Sequence, residues 1–246
     1  MATAADDGPS WSDIATWYDA LLRAGSGPHE TATACLLGLV PQPTGDEMLD
    51  LACGQGSATR ALAGAGARRV VGVDASAAMI ELARAHAVPP GLSYVEDDAQ
   101  RLSRFGDAGF DGVMCQLGLM DIPDLDATLA SVHRVLRPGG WFVFVIGHPC
   151  FLAPDAAPTT TAAGRPAVTV TGYLTERFWR STNPDGVRRA GNYHRTLATY
   201  LNALVRTGFL IDAVDEPSAG PSLARQRPLY AEVPIFFAAR VRRVEG

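Results

Sequence analysis

Two apolar segments that each end beside an acidic residue constrain the fold of this chain most. Residues 48–52 (MLDLA) run into the turn 53–56 (CGQG), and residues 70–73 (VVGV) run into Asp74, 20 residues after Gly54. Glycine has no Cβ, so Gly54 and Gly56 let the backbone turn sharply and approach a ligand closely. Residues 57–65 fit a helix between the two strands. The spacing therefore predicts one βαβ unit.

This unit favours a ligand that carries a nucleoside. The start of the helix can hold an anion, because its first amides are unpaired and the helix dipole is positive there. Asp74, at the tip of the second strand, is placed to accept hydrogen bonds from ribose hydroxyls, as acidic residues do in dinucleotide sites. Up to this point NAD and S-adenosylmethionine fit equally well.

Two details favour S-adenosylmethionine over NAD. Thr59 stands where the pyrophosphate fingerprint Gly-x-Gly-x-x-Gly has its third glycine. Asp50 lies four residues before Gly54, and its charge would repel a diphosphate. The amino group and sulfonium of S-adenosylmethionine instead attract a carboxylate in a partly dry cleft. A nicotinamide dehydrogenase is therefore the least favoured of the enzyme classes considered.

Three more motifs follow in order: residues 97–99 (DDA), 110–115 (FDGVMC) and 136–140 (LRPGG). With them the chain resembles the class I S-adenosylmethionine-dependent methyltransferases, and residues 147–151 (GHPCF) and 194–197 (HRTL) resemble a bacterial small-molecule subgroup. The resemblance implies a doubly wound α/β fold with a mainly parallel seven-stranded sheet whose last strand is antiparallel. It implies S-adenosylmethionine as the cofactor, no metal, and methyl transfer to oxygen or nitrogen of a small-molecule acceptor.

The resemblance also implies a set of cofactor-binding residues, in which Tyr18 reaches the methionine carboxylate, Asp74 the ribose and Asp98 the adenine edge. The full set is Tyr18, Asp50, Ala52, Gly54, Gly56, Asp74, Ala75, Asp98, Ala99 and Gln116. Two other uses of such a site stay open. The cofactor can assist a cyclisation, rearrangement or decarboxylation without losing its methyl, or the chain can be a non-catalytic cofactor-binding module.

Short apolar strands alternate with amphipathic helices, which predicts a parallel sheet covered on both faces. The expected strands are residues 47–52, 69–74, 92–96, 109–115, 141–147, 209–214 and 233–241. Ser76, Asp124 or Asp126, and Thr196 are expected to begin helices. Residues 1–246 are expected to form one domain, in which residues 1–40 are a helical cover.

The alternation stops after Gly147. Residues 148–193 are rich in Pro, Thr, Gly and Ala and are too long for an ordinary connection, so we expect a lid or substrate-binding insertion. Residues 168–173 and 176–179 alternate like strands and are expected to form one small hairpin. A disordered surface loop is the alternative.

Two histidines border this insertion. Methyl transfer is an in-line displacement that needs proximity and dry surroundings, with a base only where the acceptor must lose a proton. His148 follows the fifth strand at the edge where open α/β sheets bind ligands, and His194 lies next to Tyr193 and Arg195. We expect the histidines to be catalytic and Tyr193 and Arg195 to bind substrate. Structural hydrogen bonding is the alternative for all four.

Composition restricts the partners. The net charge of −5 gives no basic surface for nucleic acid. No apolar run of 18 residues and no signal-peptide pattern occurs, so no membrane association is expected and the cytoplasm is the expected location. The four cysteines are scattered singly, which favours reduced thiols over a zinc site or disulfides. A monomer or homodimer is expected.

Overall fold

The computed structural model describes residues 8–244, without the side chains of residues 221 and 222. The first seven residues of the expected cover 1–40, and the last two of the expected domain 1–246, lie outside the described residues.

Helices and strands alternate through most of the chain. The helices are α1 (Trp11–Arg23), α2 (Gly27–Leu39), α3 (Ser57–Gly64), α4 (Ala77–Ala85), α5 (Leu125–Val135), α6 (Leu197–Arg206) and α7 (Pro221–Gln226). The strands are β1 (Glu47–Leu51), β2 (Arg69–Asp74), β3 (Leu92–Glu96), β4 (Phe110–Gln116), β5 (Leu136–Gly147), β6 (Ala157–Thr160), β7 (Pro166–Thr169), β8 (Arg177–Trp179), β9 (Asn192–His194), β10 (Phe209–Asp215) and β11 (Phe236–Arg243). Two short 3₁₀ helices cover Val187–Ala190 and Pro228–Ala231.

Seven strands form one sheet in the order β10, β11, β5, β4, β1, β2, β3. The pairings of β1 with β2 and β4, of β2 with β3, and of β4 with β5 are all parallel. The last strand, β11, runs antiparallel to both of its neighbours, β5 and β10. The expected doubly wound sheet with an antiparallel last strand is confirmed.

Apolar side chains pack on both faces of this sheet. Met48 of β1 joins a core cluster with α2 residues such as Leu36, whereas Leu49 and Leu51 join a second cluster with α5 residues such as Leu129. Successive side chains of a strand point to opposite faces, so a strand buried on both faces reads as a nearly continuous apolar run. Asp50 therefore interrupts an otherwise apolar central strand, and its side chain is only 1% exposed.

The helix caps follow the expected chemistry. The side chains of Ser76, Asp124 and Thr196 each accept a hydrogen bond from a backbone amide three residues later. Asp124, rather than Asp126, begins α5. Strand β5 starts five residues earlier than expected, at Leu136, and its pairing with β4 shifts register between Phe110 and Gly112.

The insertion after β5 contains two small sheets, and the single expected hairpin is wrong. β7 pairs with β6, and β8 pairs with β9, so residues 168–169 and 177–179 lie in two separate two-stranded sheets. Alternation of apolar and polar residues predicts a strand but does not select its partner. Within the described residues, no helix is both long and apolar enough to cross a membrane.

Candidate functional site

A cavity of about 710 Å³ opens where the parallel strands β1 to β4 end. Its floor comes from the turns that follow these strands. Its sides come from α1, from the start of α2 and from residues 183–188 of the insertion. Open α/β sheets bind ligands at this edge, because the chain leaves neighbouring strands in opposite directions there.

The turn after β1 places backbone, rather than side chains, against the cavity. Gly54 and Gly56 have φ values of 55° and 82°, and Ala52 before them has 53°. A Cβ added at Gly54 would meet no protein atom within 4 Å, whereas one at Gly56 would clash with the Tyr94 hydroxyl. Ala52 and Gly54 line the cavity, while Gly56 lies outside the lining as the N-cap of α3.

Asp74 connects this turn to the end of β2. Its Oδ2 accepts from the amide of Gly54 at 2.9 Å, and its Oδ1 accepts from the amide of Ser76 at 2.9 Å. Burial raises the pKa of Asp74, and the two amides oppose the rise. Each carboxylate oxygen retains a second lone pair, so Asp74 can still accept hydrogen bonds from a ligand.

Beyond Asp74, the cavity extends towards the end of β3. Ala75, Asp98 and Ala99 line this part. The Asp98 carboxylate is fixed by the backbone amide and side chain of Gln100, at 2.9 and 3.0 Å. This end of the cavity therefore offers an oriented acceptor next to small side chains.

Asp50 lies at the opposite end and has an unpaired acceptor. Its Oδ2 accepts from the Thr59 hydroxyl at 2.6 Å, and its Oδ1 has no hydrogen-bond partner within residues 8–244. Burial raises the pKa of Asp50 to about 7, against the lowering effect of Thr59. A buried acceptor without a partner is costly, and a protonated carboxyl or a positive charge nearby would offset that cost.

A polar cluster around His29 joins two residues that the sequence marks, Tyr18 and Gln116, to a histidine that it does not mark. His29, on α2, lies with its Nε2 2.9 Å from the Ser57 hydroxyl and 3.0 Å from Nε2 of Gln116, and with its Nδ1 3.5 Å from the Tyr18 hydroxyl. Burial lowers the pKa of His29 to about 4, so the ring is neutral at pH 7. The Oε1 of Gln116 is a second buried acceptor that has no partner among the residues that the structure describes.

An ion pair closes the cavity on the side of the insertion. Arg188 of the insertion donates from Nη1 to Oδ1 of Asp121 at 3.1 Å. Burial raises the pKa of Asp121 to about 7, and the nearby Arg188 charge opposes the rise. No motif marks His29, Asp121 or Arg188 in the sequence, since three separate elements bring them together.

Comparison with known proteins identifies the family. Residues 49–144 match the model of a methyltransferase domain. The crystal structure of an S-adenosylmethionine-dependent methyltransferase from Mesorhizobium loti superposes with a TM-score of 0.75, at 31% identity, over 89% of this chain and 99% of that one. The chain belongs to the S-adenosylmethionine-dependent methyltransferases. The cofactor of this family is S-adenosylmethionine.

Two sequence relatives extend the comparison. An uncharacterised methyltransferase from Synechocystis is 37% identical over 144 residues, which span 57% of this chain and only 62% of the relative. The N-demethylindolmycin N-methyltransferase of Streptomyces griseus is 28% identical over 189 residues, which span 71% of this chain and 75% of that protein.

The cavity of this methyltransferase suits its family's cofactor. The unpaired Oδ1 of Asp50 fits an ammonium group, and the open space above Gly54 leaves room for an aliphatic chain against the backbone. Asp74, at the end of β2, offers acceptors for a ribose. Nine of the ten residues expected to bind the cofactor line the cavity: Tyr18, Asp50, Ala52, Gly54, Asp74, Ala75, Asp98, Ala99 and Gln116.

The residues expected to act in catalysis and substrate binding lie elsewhere. His148, His194, Tyr193 and Arg195 line a second cavity of about 260 Å³ and are absent from the lining of the first. His148 Nε2 contacts Glu216 at 2.8 Å, and His194 Nε2 contacts the Tyr173 carbonyl at 2.8 Å.

Arg195 has a structural position. Its guanidinium is buried and donates to the carbonyls of Ile122 and Pro123 at 2.7 and 2.6 Å. These bonds tie the start of α6 to the loop after β4, and they use two of the five N–H donors of the guanidinium. The roles expected for Arg195, Tyr193 and the two histidines stay predictions.

Proposed function

We propose that this chain transfers the methyl group of S-adenosylmethionine to oxygen or nitrogen of a small-molecule acceptor. The observation that carries the proposal is a cavity lined by three acidic residues, Asp50, Asp74 and Asp98, of which Asp50 is buried with one oxygen unpaired among the described residues. One end of this cavity suits an ammonium group and the other a nucleoside. A net charge of −5 disfavours a nucleic-acid acceptor.

The protein's own residues would hold and shield the reactants. Asp50 would pair with the ammonium group, Asp74 would accept from the ribose hydroxyls, and Asp98 would bind the adenine edge. When bound, the cofactor supplies a methyl carbon activated by positive sulfur. The contribution of the chain is then alignment and exclusion of water. In this proposal residues 148–193 act as a lid, because residues 183–188 line the cofactor cavity.

An acceptor that carries a proton needs a base, and Asp121 is better placed for this role than either His148 or His194. Its carboxylate lines the cofactor cavity, and its pKa of about 7 suits proton acceptance near neutral pH. The acceptor proton would pass to Asp121, the acceptor lone pair would bond to the methyl carbon, and the carbon–sulfur bond pair would stay on sulfur.

Calorimetry with S-adenosylmethionine and S-adenosylhomocysteine tests the first half of the proposal. We expect both to bind the wild-type protein, and Asp74→Ala to weaken binding by about 1.5–3 kcal/mol, the value of a charge-assisted hydrogen bond. Absence of binding to a folded sample would contradict the proposal.

Mass spectrometry of an acceptor panel tests the second half. Methyl transfer adds one methylene unit to the product and leaves S-adenosylhomocysteine behind. A rearranged product with no added mass and an unconsumed cofactor would instead support the non-methylating alternative. Binding without turnover, together with a stable protein complex, would support a cofactor-binding module.

A further inference from the structure

The second cavity differs from the cofactor cavity in the charges of its lining. It has a volume of about 260 Å³ and lies between the end of β5, the insertion and the loop before β11. Within residues 8–244, no aspartate or glutamate lines it, whereas Arg188 and Arg195 do. The aspartates that line the cofactor cavity are Asp50, Asp74, Asp97, Asp98, Asp121 and Asp185. The cofactor cavity therefore favours positive ligand groups, and the second cavity favours a negative one.

Arg188 lies between the two cavities. Among the described residues, it alone lines both of them. Its Nη1 donates to Oδ1 of Asp121 on the side of the cofactor cavity, at 3.1 Å. Its Nη2 lies on the side of the second cavity, 3.8 Å from the position that a Cβ would take on Gly147. The bond to Asp121 is the one side-chain hydrogen bond of Arg188 within the described residues, so most of its five N–H donors remain for a ligand.

Arg195 adds a second positive charge to this lining. The residue is 8% exposed, its guanidinium donates to neutral carbonyl groups of the loop after β4, and it forms no ion pair with a described carboxylate. Burial raises the pKa of Asp121 to about 7, although the charges of Arg188 and Arg195 oppose the rise. Asp121 is therefore only partly ionised at neutral pH and does not balance two guanidinium charges. Because a buried charge without a counter-charge is costly, a negative ligand group here would offset that cost.

The rest of the second lining is mostly apolar or aromatic. Its aromatic side chains are Phe151, Trp179, Tyr193, Tyr200 and Tyr230. The polar groups that these residues carry, hydroxyls and one indole N–H, can all donate to an oxygen anion. Small-molecule sites typically combine an apolar lining with a few polar groups that orient the ligand. The lining therefore suits a molecule with an apolar body and one anionic group.

We propose that the second cavity binds the methyl acceptor, that this acceptor is an apolar carboxylic acid, and that its ionised carboxylate accepts hydrogen bonds from Arg188. The fork of a guanidinium matches the two oxygens of a carboxylate, and Nη1 keeps a second hydrogen for its bond to Asp121. The carboxylate end of the acceptor then lies next to the cofactor cavity, and the apolar body lies against the aromatic lining. This inference rests on the proposed methyl transfer and names the class of its acceptor.

Fluorine NMR with three probes of one shape tests the inference. Para-fluorobenzoate is negative, para-fluorobenzamide is neutral and para-fluorobenzamidine is positive at neutral pH. Each is titrated into the protein saturated with S-adenosylhomocysteine, so that no transfer occurs. We expect the benzoate to bind roughly 10- to 150-fold more tightly than the benzamide, the range that corresponds to a hydrogen bond with a charged group. The benzamidine should bind more weakly than the benzamide.

Variants assign the preference to Arg188. Arg188→Met keeps most of the aliphatic stem, and it should lower the benzoate affinity to that of the benzamide without changing the benzamide affinity. Arg189→Met is the matched control and should keep the preference, because Arg189 stacks on the Trp17 ring at 3.8 Å and lines neither cavity. If Arg188→Met does not fold, Asp121→Asn removes the competing carboxylate and should tighten benzoate binding several-fold, with no gain for the benzamide.

A further variant locates the probes. Val168 of β7 lines the second cavity and not the cofactor cavity. Val168→Trp should fill the second cavity and weaken the binding of the benzoate and the benzamide, while the affinity for S-adenosylhomocysteine stays unchanged.

Each other outcome contradicts a specific step. Equal affinity for the three probes overturns the anionic class. An unchanged preference in Arg188→Met, or no gain for the benzoate in Asp121→Asn, overturns the role of Arg188. Unchanged probe binding in Val168→Trp, or displacement of the benzoate by S-adenosylhomocysteine, overturns the location. Binding of S-adenosylhomocysteine without any probe overturns the acceptor class but leaves the proposed function intact, whereas failure to bind S-adenosylhomocysteine contradicts the proposed function instead.

Discussion

The two glycines after β1 both have a positive φ, but a methyl group would meet different surroundings at each. Because φ is positive at both positions, an alanine at either one would carry a strain of about 1–2 kcal/mol. A methyl group at Gly54 enters the cavity, whereas one at Gly56 meets Tyr94. The same substitution at these two sites therefore separates ligand binding from folding.

We expect Gly54→Ala to fold with a small loss of stability and to bind S-adenosylhomocysteine at least tenfold more weakly. Gly56→Ala should lose more stability, because Tyr94 must move from its packed position. Urea unfolding gives the stability, and calorimetry gives the affinity. Full affinity in Gly54→Ala would show that the ligand does not approach this backbone.

Burial of Asp50 makes the free energy of unfolding depend on pH. Folding raises its pKa from about 3.9 to about 7, so the folded protein binds more protons than the unfolded chain between these values. The contribution of Asp50 to stability is therefore lost as pH rises through this window. Asn at this position carries no charge and avoids the loss.

Asp50→Asn should stabilise the ligand-free protein by about 1–4 kcal/mol at pH 8, and by clearly less at pH 5. Urea unfolding at the two pH values measures the difference. S-adenosylhomocysteine should stabilise the variant less than the wild type, because its ammonium group loses the buried carboxylate. Equal effects of the substitution at both pH values would rule out ionisation of Asp50 as the cause.

At the residue scale, the sequence was sufficient for groups at the carboxyl ends of strands. Asp50 and Asp74 lie in the last two residues of β1 and β2, and Asp98 follows β3, so they could be predicted because the carboxyl ends of parallel strands share one edge of the sheet. His29 and Arg188 could not, since each reaches the cavity from an element whose docking depends on tertiary packing. His148 follows a strand too, but the insertion turns it towards a different cavity.

At the scale of elements, a buried carboxylate attaches the helix α1 to the end of α4. Asp19 of α1 is fully buried, and its Oδ1 contacts Nε2 of His86, at the end of α4, at 2.9 Å. Arg23 bonds to the other oxygen. Trp11 and Tyr18 on the same helix line the cofactor cavity, so the contact between Asp19 and His86 holds part of the cavity wall.

His86→Ala should leave one oxygen of Asp19 unpaired and cost about 1–3 kcal/mol. We expect faster hydrogen exchange in residues 11–23 and weaker binding of S-adenosylhomocysteine. His133→Ala, which removes a partly buried ring packed on Phe209 away from α1, is the control. Its exchange in residues 11–23 should change only as much as global stability does, and an equal local effect would contradict the assignment.

Strands with a strong apolar pattern could be predicted, whereas the pairing partners of the short strands in the insertion could not. Strands β1 to β4 begin and end within about one residue of the expected positions, because each is an apolar run with clear turn signals beside it. The insertion lacks such neighbours. Its strands are three or four residues long, so pairing depends on contacts with the rest of the molecule.

At the scale of the whole molecule, one sheet joins the two core clusters, and the cofactor cavity lies at its edge. Elements distant in sequence, from α1 to the insertion, meet around this cavity. A ligand bound there contacts most of the folded layers at once. Binding should therefore stabilise the whole domain rather than one segment.

S-adenosylhomocysteine at 100 times its dissociation constant should add about 2.7 kcal/mol to the free energy of unfolding. For a chain of this size, that gain corresponds to a rise in Tm of roughly 5–10 °C. NADH at the same concentration should give no rise, because Asp50 disfavours a diphosphate near the turn and Thr59 replaces the third glycine. Differential scanning calorimetry measures both ligands, and Asp74→Ala should reduce the shift at a fixed S-adenosylhomocysteine concentration. A shift with NADH equal to that with S-adenosylhomocysteine would contradict the choice of S-adenosylmethionine over NAD, which rests on Asp50 and Thr59.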